Sequence, residues 1–135
     1  MILSRNVKLL TRNGLKDYKK PNLRFYLNDT LLTKTCDYKN TTTSLTLYNI
    51  STKDSCFKLF DEGEILTSKG FVSIKDLQVG DTLIVHTLRQ TDYGASSITL
   101  CERNITEISK VVTERDCIEV PYNELIVDGL YLKNT

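Results

Sequence analysis

Leu9-Leu-Thr-Arg-Asn-Gly-Leu15 and Ile65-Leu-Thr-Ser-Lys-Gly-Phe71 are one phrase written twice: apolar, Leu, Thr, two polar residues, Gly, apolar. Thr11 and Thr67 stand 56 residues apart. Each copy reads as strand, turn, strand, because Gly14 and Gly70 can take the positive φ that a tight reversal needs. In a chain of 135 residues, a repeated strand-turn unit predicts one β domain, residues 1–135, built from two related halves. The second copy runs on into Ser73-Ile-Lys-Asp-Leu-Gln-Val-Gly-Asp81, and the chain finishes with Asn134-Thr135.

Outward from the repeat, short β-rich runs separated by polar turns predict an all-β fold. The expected strands are Val7–Thr11, Leu23–Leu27, Thr30–Thr35, Ser44–Tyr48, Cys56–Phe60 and Glu64–Thr67 in the first half. Thr82–His86, Ile98–Cys101, Ile105–Thr113, Cys117–Val120, Glu124–Val127 and Leu130–Leu132 follow. Asn13-Gly14, Lys69-Gly70, Gly80-Asp81 and Asp128-Gly129 punctuate them as turns. Val72–Leu77 reads as one helical turn, with Ile74 and Leu77 three apart. No window supports a long amphipathic helix, so the sheet is expected to be mostly antiparallel and strongly bent. Two segments read as loops: Asn/Thr-rich Asp37–Ser44, and small, polar Arg89–Ser97, the best place for an insertion or chain break.

Composition is that of an ordinary soluble domain: 40% hydrophobic, 26% charged, net charge +1. That charge gives no electrostatic reason to expect nucleic acid or membrane as partners. The basic stretch Lys16, Lys19, Lys20 and Arg24 reads as a solvated loop. Without a long apolar run or a secretory leader, a cytoplasmic protein with free thiols is expected. Cys36, Cys56, Cys101 and Cys117 include no Cys-x-x-Cys pair, and His86 is the sole histidine. A structural metal site is therefore not expected. The sequons at Asn28, Asn40, Asn49 and Asn104 read as accidents of an Asn- and Thr-rich composition.

Four blocks, in order and spanning the chain, carry a family resemblance. Ile2-Leu-Ser-Arg-Asn-Val-Lys-Leu-Leu-Thr11 resembles the first block of inteins and hedgehog-type autoprocessing (Hint) domains. Glu64 through Asp81 resembles the second block. Asp116-Cys-Ile-Glu-Val120 with Asn123-Glu-Leu-Ile-Val-Asp-Gly129 resembles the penultimate block, and Leu130-Tyr-Leu-Lys-Asn-Thr135 the C-terminal junction. Lacking an endonuclease insert, the chain looks like a mini-intein, of the kind expected in a phage host protein such as a DNA polymerase. The resemblance implies a horseshoe-like β disc with pseudo-two-fold symmetry and both chain ends in a central cleft. It implies a cofactor-free, monomeric, single-turnover self-processing domain, not a turnover enzyme, acting on its flanking host polypeptide. If such a domain is naturally split, a complementary fragment is a further partner, and residues 89–97 are the expected break.

The implied reaction is protein splicing: an acyl shift onto residue 1, transfer to the residue after the domain, Asn cyclisation, and rearrangement to a peptide bond. Several positions depart from the family's pattern. Met1 stands where Cys or Ser is usual and offers no ionisable nucleophile. It is either a start residue over a native Ser or Cys, or a degenerate first position. The usual Thr-x-x-His of the second block is Phe60 and Gly63; either the domain has decayed there, or another group such as Lys58, His86 or a flanking host residue polarises the amide, with His86 reading better as a core or edge histidine. Cys117 takes the place of an Asp, as a catalytic thiol or a small buried residue, and Asn123 falls near the place of a His. Lys133 replaces the penultimate His, leaving oxyanion stabilisation to a cation or a backbone N–H. Asn134, for cyclisation, and Thr135, as acyl acceptor, are retained. The expectation is a splice-blocked mini-intein; the rivals are a decayed Hint scaffold kept for binding or structure, and an unrelated small β protein.

Overall fold

Both copies of the repeated phrase fold into hairpins with the same internal chemistry. In a computed structural model of the chain, which describes residues 1–28, 30–33, 37–90, 96–111 and 115–134, β2 (Lys8–Thr11) pairs with β3 (Gly14–Asp17). Likewise β9 (Glu64–Thr67) pairs with β10 (Gly70–Ser73). The turn glycines sit at φ 95° and 99°, a region open to Gly at no steric cost. The Thr11 hydroxyl donates to Gly14 O at 2.7 Å and accepts the Asn13 N–H at 3.1 Å. The Thr67 hydroxyl donates to Gly70 O at 2.8 Å and accepts the Lys69 N–H at 3.2 Å. Each donated bond is worth about 1 kcal/mol net. The correspondence continues outward at the same offset: Tyr18 N–H donates to Val7 O at 3.0 Å, and Ile74 N–H to Gly63 O at 3.3 Å.

The remaining strands are β1 (Ile2–Leu3), β4 (Arg24–Leu27), β5 (Thr30–Thr33), β6 (Lys39–Thr43), β7 (Leu47–Ser51), β8 (Cys56–Phe60), β11 (Thr82–Gln90) and β12 (Ser96–Asn104). They are completed by β13 (Glu107–Val111), β14 (Arg115–Glu119), β15 (Glu124–Val127) and β16 (Leu130–Lys133). The largest sheet runs β10-β9-β11-β16-β15-β2-β3, with β12 on β11, so the twin hairpins close its two ends. A short edge strand leads into each hairpin. β1 edges the sheet β1-β14-β6, and β8 edges the sheet β13-β7-β8. This two-fold plan is the expected β disc. Every pairing is antiparallel.

Matching positions of the two halves meet in one core. Leu9 and Ile65 are fully buried, as are Tyr18 and Ile74. Each such side chain contributes about 1.5–3 kcal/mol by leaving water. Another hairpin joins β15 to β16 through Asp128 and Gly129 at φ 53° and 89°. Its two-residue, positive-φ turn matches the strand twist. A Cβ on Gly129 would stand 3.0 Å from His86 O, so that crossing needs a glycine as well.

Three expectations need correction. Asp37–Ser44 is not a loop: Lys39–Thr43 forms β6, paired along its length with β14. The segment 89–97 is narrower as a loop, because β11 runs to Gln90 and β12 starts at Ser96; residues 91–95 lie outside the described residues. The turn at Val72–Leu77 is a 3-10 turn limited to Ile74–Asp76, since Val72 and Ser73 finish β10. No helix among the described residues is long and apolar enough to cross a membrane.

Candidate functional site

The two ends of the described chain converge on the short link between β8 and β9. That link, Asp61-Glu62-Gly63, is held by its backbone. Asp61 N–H donates to Thr46 O at 2.9 Å, Glu62 N–H folds back on Phe60 O at 2.7 Å, and Gly63 O receives Ile74 N–H. The Glu62 side chain is thereby aimed from a fixed base.

At the N-terminal end, Met1 and Val120 exchange both of their backbone hydrogen bonds, each 3.0 Å long. In an antiparallel ladder the next pair, Ile2 and Glu119, is then a non-hydrogen-bonded one, and the Ile2 N–H points away from β14. Its acceptor is Glu62 Oε2, at 2.7 Å. At the C-terminal end, Leu132 and Lys133 pair with Ile65 and Glu64 of β9. Asn134 N–H then donates to Asn123 O at 2.7 Å, and Asn134 Nδ2 donates to Glu62 Oε1 at 3.0 Å. One carboxylate, an acceptor at both oxygens, therefore grips the residue after Met1 and the Asn134 carboxamide.

Gly63 is what lets Asn134 lie there. A Cβ at this position would stand 2.5 Å from Asn134 Oδ1 and 2.5 Å from Lys133 O, and the backbone is left-handed at φ 82°. Real side chains do not tolerate such contacts, so the place of the usual His is a seat for the C-terminal residues. No imidazole fits it in this arrangement.

The other candidates fall on either side of this centre. Phe60 is 4% exposed and packs with Leu47, Cys117 and Ile2, serving as core where the family pattern has a hydroxyl. Cys117 is fully buried in the same cluster, and burial pushes its thiol up, helped by Asp116, Glu119 and Glu62. That is the reverse of the shift an attacking thiolate needs, so the buried-residue reading is the better one. Asn123 contributes its main-chain carbonyl, while its side chain is exposed. Lys133 turns outward: Nζ lies 3.8 Å from Glu124 and 5.4 Å above the Phe71 ring, so its cation is not aimed at the carboxamide. His86 is 5% exposed, with its backbone N–H 2.7 Å and its Nδ1 3.3 Å from Gly129 O, beside the Tyr131 ring. It is a core histidine. Lys58 is exposed and lines a narrow cleft with Met1, Ile2, Phe60, Glu62 and Leu132.

Thr135 and Cys36 lie outside the described residues. Cys56 is exposed, and Cys101 sits 3.6 Å from the Thr87 hydroxyl. Among the described residues no group of three or more His, Cys, Asp or Glu is placed to hold a metal ion. Sequence reasoning missed Glu62. The one local signal was an acidic residue directly beside the place of the absent His.

No protein-family profile matches the sequence, and no curated protein matches it significantly. Solved structures do match. The chain is similar over 99% of its length to the DnaX mini-intein from Spirulina platensis, with a TM-score of 0.70 and 14% identity, covering 100% of that chain. A mutant of the Ssp DnaB mini-intein matches at TM-score 0.68 and 10% identity, covering 99% of this chain and 98% of that one. The bacterial intein-like domain from Clostridium thermocellum matches at 0.65 and 16%, covering 98% of each. The fold is thus the Hint fold of mini-inteins, as the four sequence blocks and the paired hairpins led one to expect.

Proposed function

We propose that the chain is a protein-splicing domain whose first step is blocked at Met1. The observation that carries this reading is the convergence of Ile2 and Asn134 on the single carboxylate of Glu62. An excision that joins two flanks needs both scissile bonds at one place, and reactive groups held in contact gain orders of magnitude in effective concentration. Asn134 cyclises: its Nδ2 attacks its own main-chain carbonyl and releases the amine of Thr135. Thr135 is the acyl acceptor by its hydroxyl, and the flanking host polypeptide is the substrate. The thioether of Met1 cannot accept an acyl group from a preceding residue, so this chain cleaves after Asn134 without ligating. The domain acts once, as a cytoplasmic monomer, and any natural break falls within residues 89–97.

The test is expression with short flanking peptides at both ends, read by intact-protein mass. The parent sequence should release its C-terminal flank slowly. Met1→Ser or Met1→Cys should yield the ligated flanks, and Asn134→Ala should abolish both products. If a restored nucleophile gives neither ligation nor cleavage in any flanking context, the chain is a non-catalytic scaffold and the proposal fails.

A further inference from the structure

We infer that Glu62 is the proton-transfer group of Asn134 cyclisation, and that the same carboxylate ties this step to the seating of the N-terminal strand. The inference rests on the splicing reading above and assigns the chemistry that neither Lys133 nor a residue at position 63 can supply.

A carboxamide is a poor nucleophile because its nitrogen lone pair is delocalised into the carbonyl. Drawing one Nδ2 proton toward an anionic oxygen concentrates electron density on that nitrogen. Glu62 Oε1 sits 3.0 Å from Nδ2, within the reach of a general base. An ionised carboxylate only accepts hydrogen bonds, so the carboxamide must turn Nδ2 toward it. Oδ1 is then left on bare Gly63, where no side chain competes. The atom that must react is thereby selected, and the backbone behind it is fixed by the Asn134 N–H bond to Asn123 O.

The step balances without a co-reactant. Nδ2 forms a bond to the main-chain carbonyl carbon of Asn134, and the bond from that carbon to the Thr135 nitrogen breaks. The proton lost by Nδ2 passes to Glu62 Oε1 and on to the departing Thr135 amine, returning Glu62 to its ionised form. Glu62 Oε2 meanwhile receives the Ile2 N–H at 2.7 Å. Seating of β1 on β14 thereby helps to hold the carboxylate in its working position.

The test compares the parent with Glu62→Gln in the flanked chain, following release of the C-terminal flank by mass across pH. The parent should cleave, and lose rate once the pH is low enough to protonate the carboxylate. Glu62→Gln should be slower by about 10²–10⁴-fold and lack that acid limb. Should Glu62→Gln not fold, the parent alone decides, by NMR. The Asn134 side-chain NH₂ and the Ile2 amide should shift together with the Glu62 carboxyl carbon on titration. A parent that cleaves alongside an equally fast Glu62→Gln of the same pH profile overturns the inference and leaves splicing intact. So do three unrelated titrations. A parent that never cleaves removes the splicing reading and this role with it.

Discussion

The β2–β3 and β9–β10 hairpins share turn chemistry and register, yet the residues that lead into them have parted. Val7, 56 residues before Gly63, is 1% exposed and packs into the core. Its counterpart Gly63 has no side chain, and the space a Cβ would take belongs to Asn134 and Lys133. Asn6 is exposed, whereas its counterpart Glu62 is half-buried and bonded to both ends of the molecule. One half of the fold spends this position on packing, and the other uses it to seat the C-terminal residues Lys133 and Asn134. Symmetry supplies the scaffold, and the broken symmetry marks the site.

The largest effect should come from erasing that difference. Gly63→Val copies position 7 into the second half and puts a Cβ 2.5 Å from Asn134 Oδ1 and Lys133 O on a left-handed backbone. Cleavage after Asn134 should vanish, and denaturant unfolding should show a loss of about 3 kcal/mol or more. Gly63→His should fail in the same way instead of restoring the family's usual residue; cleavage by either variant would show that Asn134 can work from elsewhere. The reciprocal change, Val7→Gly, should cost about 2–3 kcal/mol through a core cavity and a freer backbone. Cleavage per folded molecule should be unaltered, and a rate loss there would deny that the halves have divided their labour.

Smaller effects test what the hairpins still share. Thr11→Val and Thr67→Val each remove the hydroxyl's bond to a glycine carbonyl and the bond it accepts from a turn N–H. Each should lower stability by about 1–3 kcal/mol, the two agreeing within about 0.5 kcal/mol in denaturant midpoints converted at equal slope. The smallest change belongs to the β15–β16 hairpin. Burial raises the Asp128 carboxyl above its ordinary range, with the bond from Lys8 N–H and the Lys8 charge opposing in part. The folded chain thus holds this proton more tightly than the unfolded one. Its stabilising contribution is complete at pH below the unfolded carboxyl's range and fades as pH rises through the folded value. Asp128→Asn keeps the acceptor and tolerates φ 53°. Melting temperatures against pH should lose that decline in the variant.

Turn chemistry was legible in the sequence because it is local. Thr-x-x-Gly and Asp-Gly specify their hairpins within four residues, and the doubled phrase marked the two related halves, whose hairpins the fold sets at the two ends of the main sheet. β6 was not legible, since Lys39-Asn-Thr-Thr-Thr43 shows no apolar alternation and exists through backbone pairing with β14, over 70 residues later. β3 and β10 were legible only as the second arm of each strand-turn-strand phrase, their extents hidden because they are short, half-exposed return strands. Met1, Gly63 and Asn134 were singled out from block order, and the fold brings their neighbourhoods together. Glu62 was hidden because its partners lie 60 and 72 residues away. Within Asp61-Glu62-Gly63-Glu64 an acidic side chain reads as a solvated turn.

With Ile2 N–H and Asn134 Nδ2 on opposite oxygens of one carboxylate, the molecule is nearly a closed ring. In the splicing domain proposed above, the two flanks would therefore leave the molecule at neighbouring points, on either side of the Glu62 carboxylate.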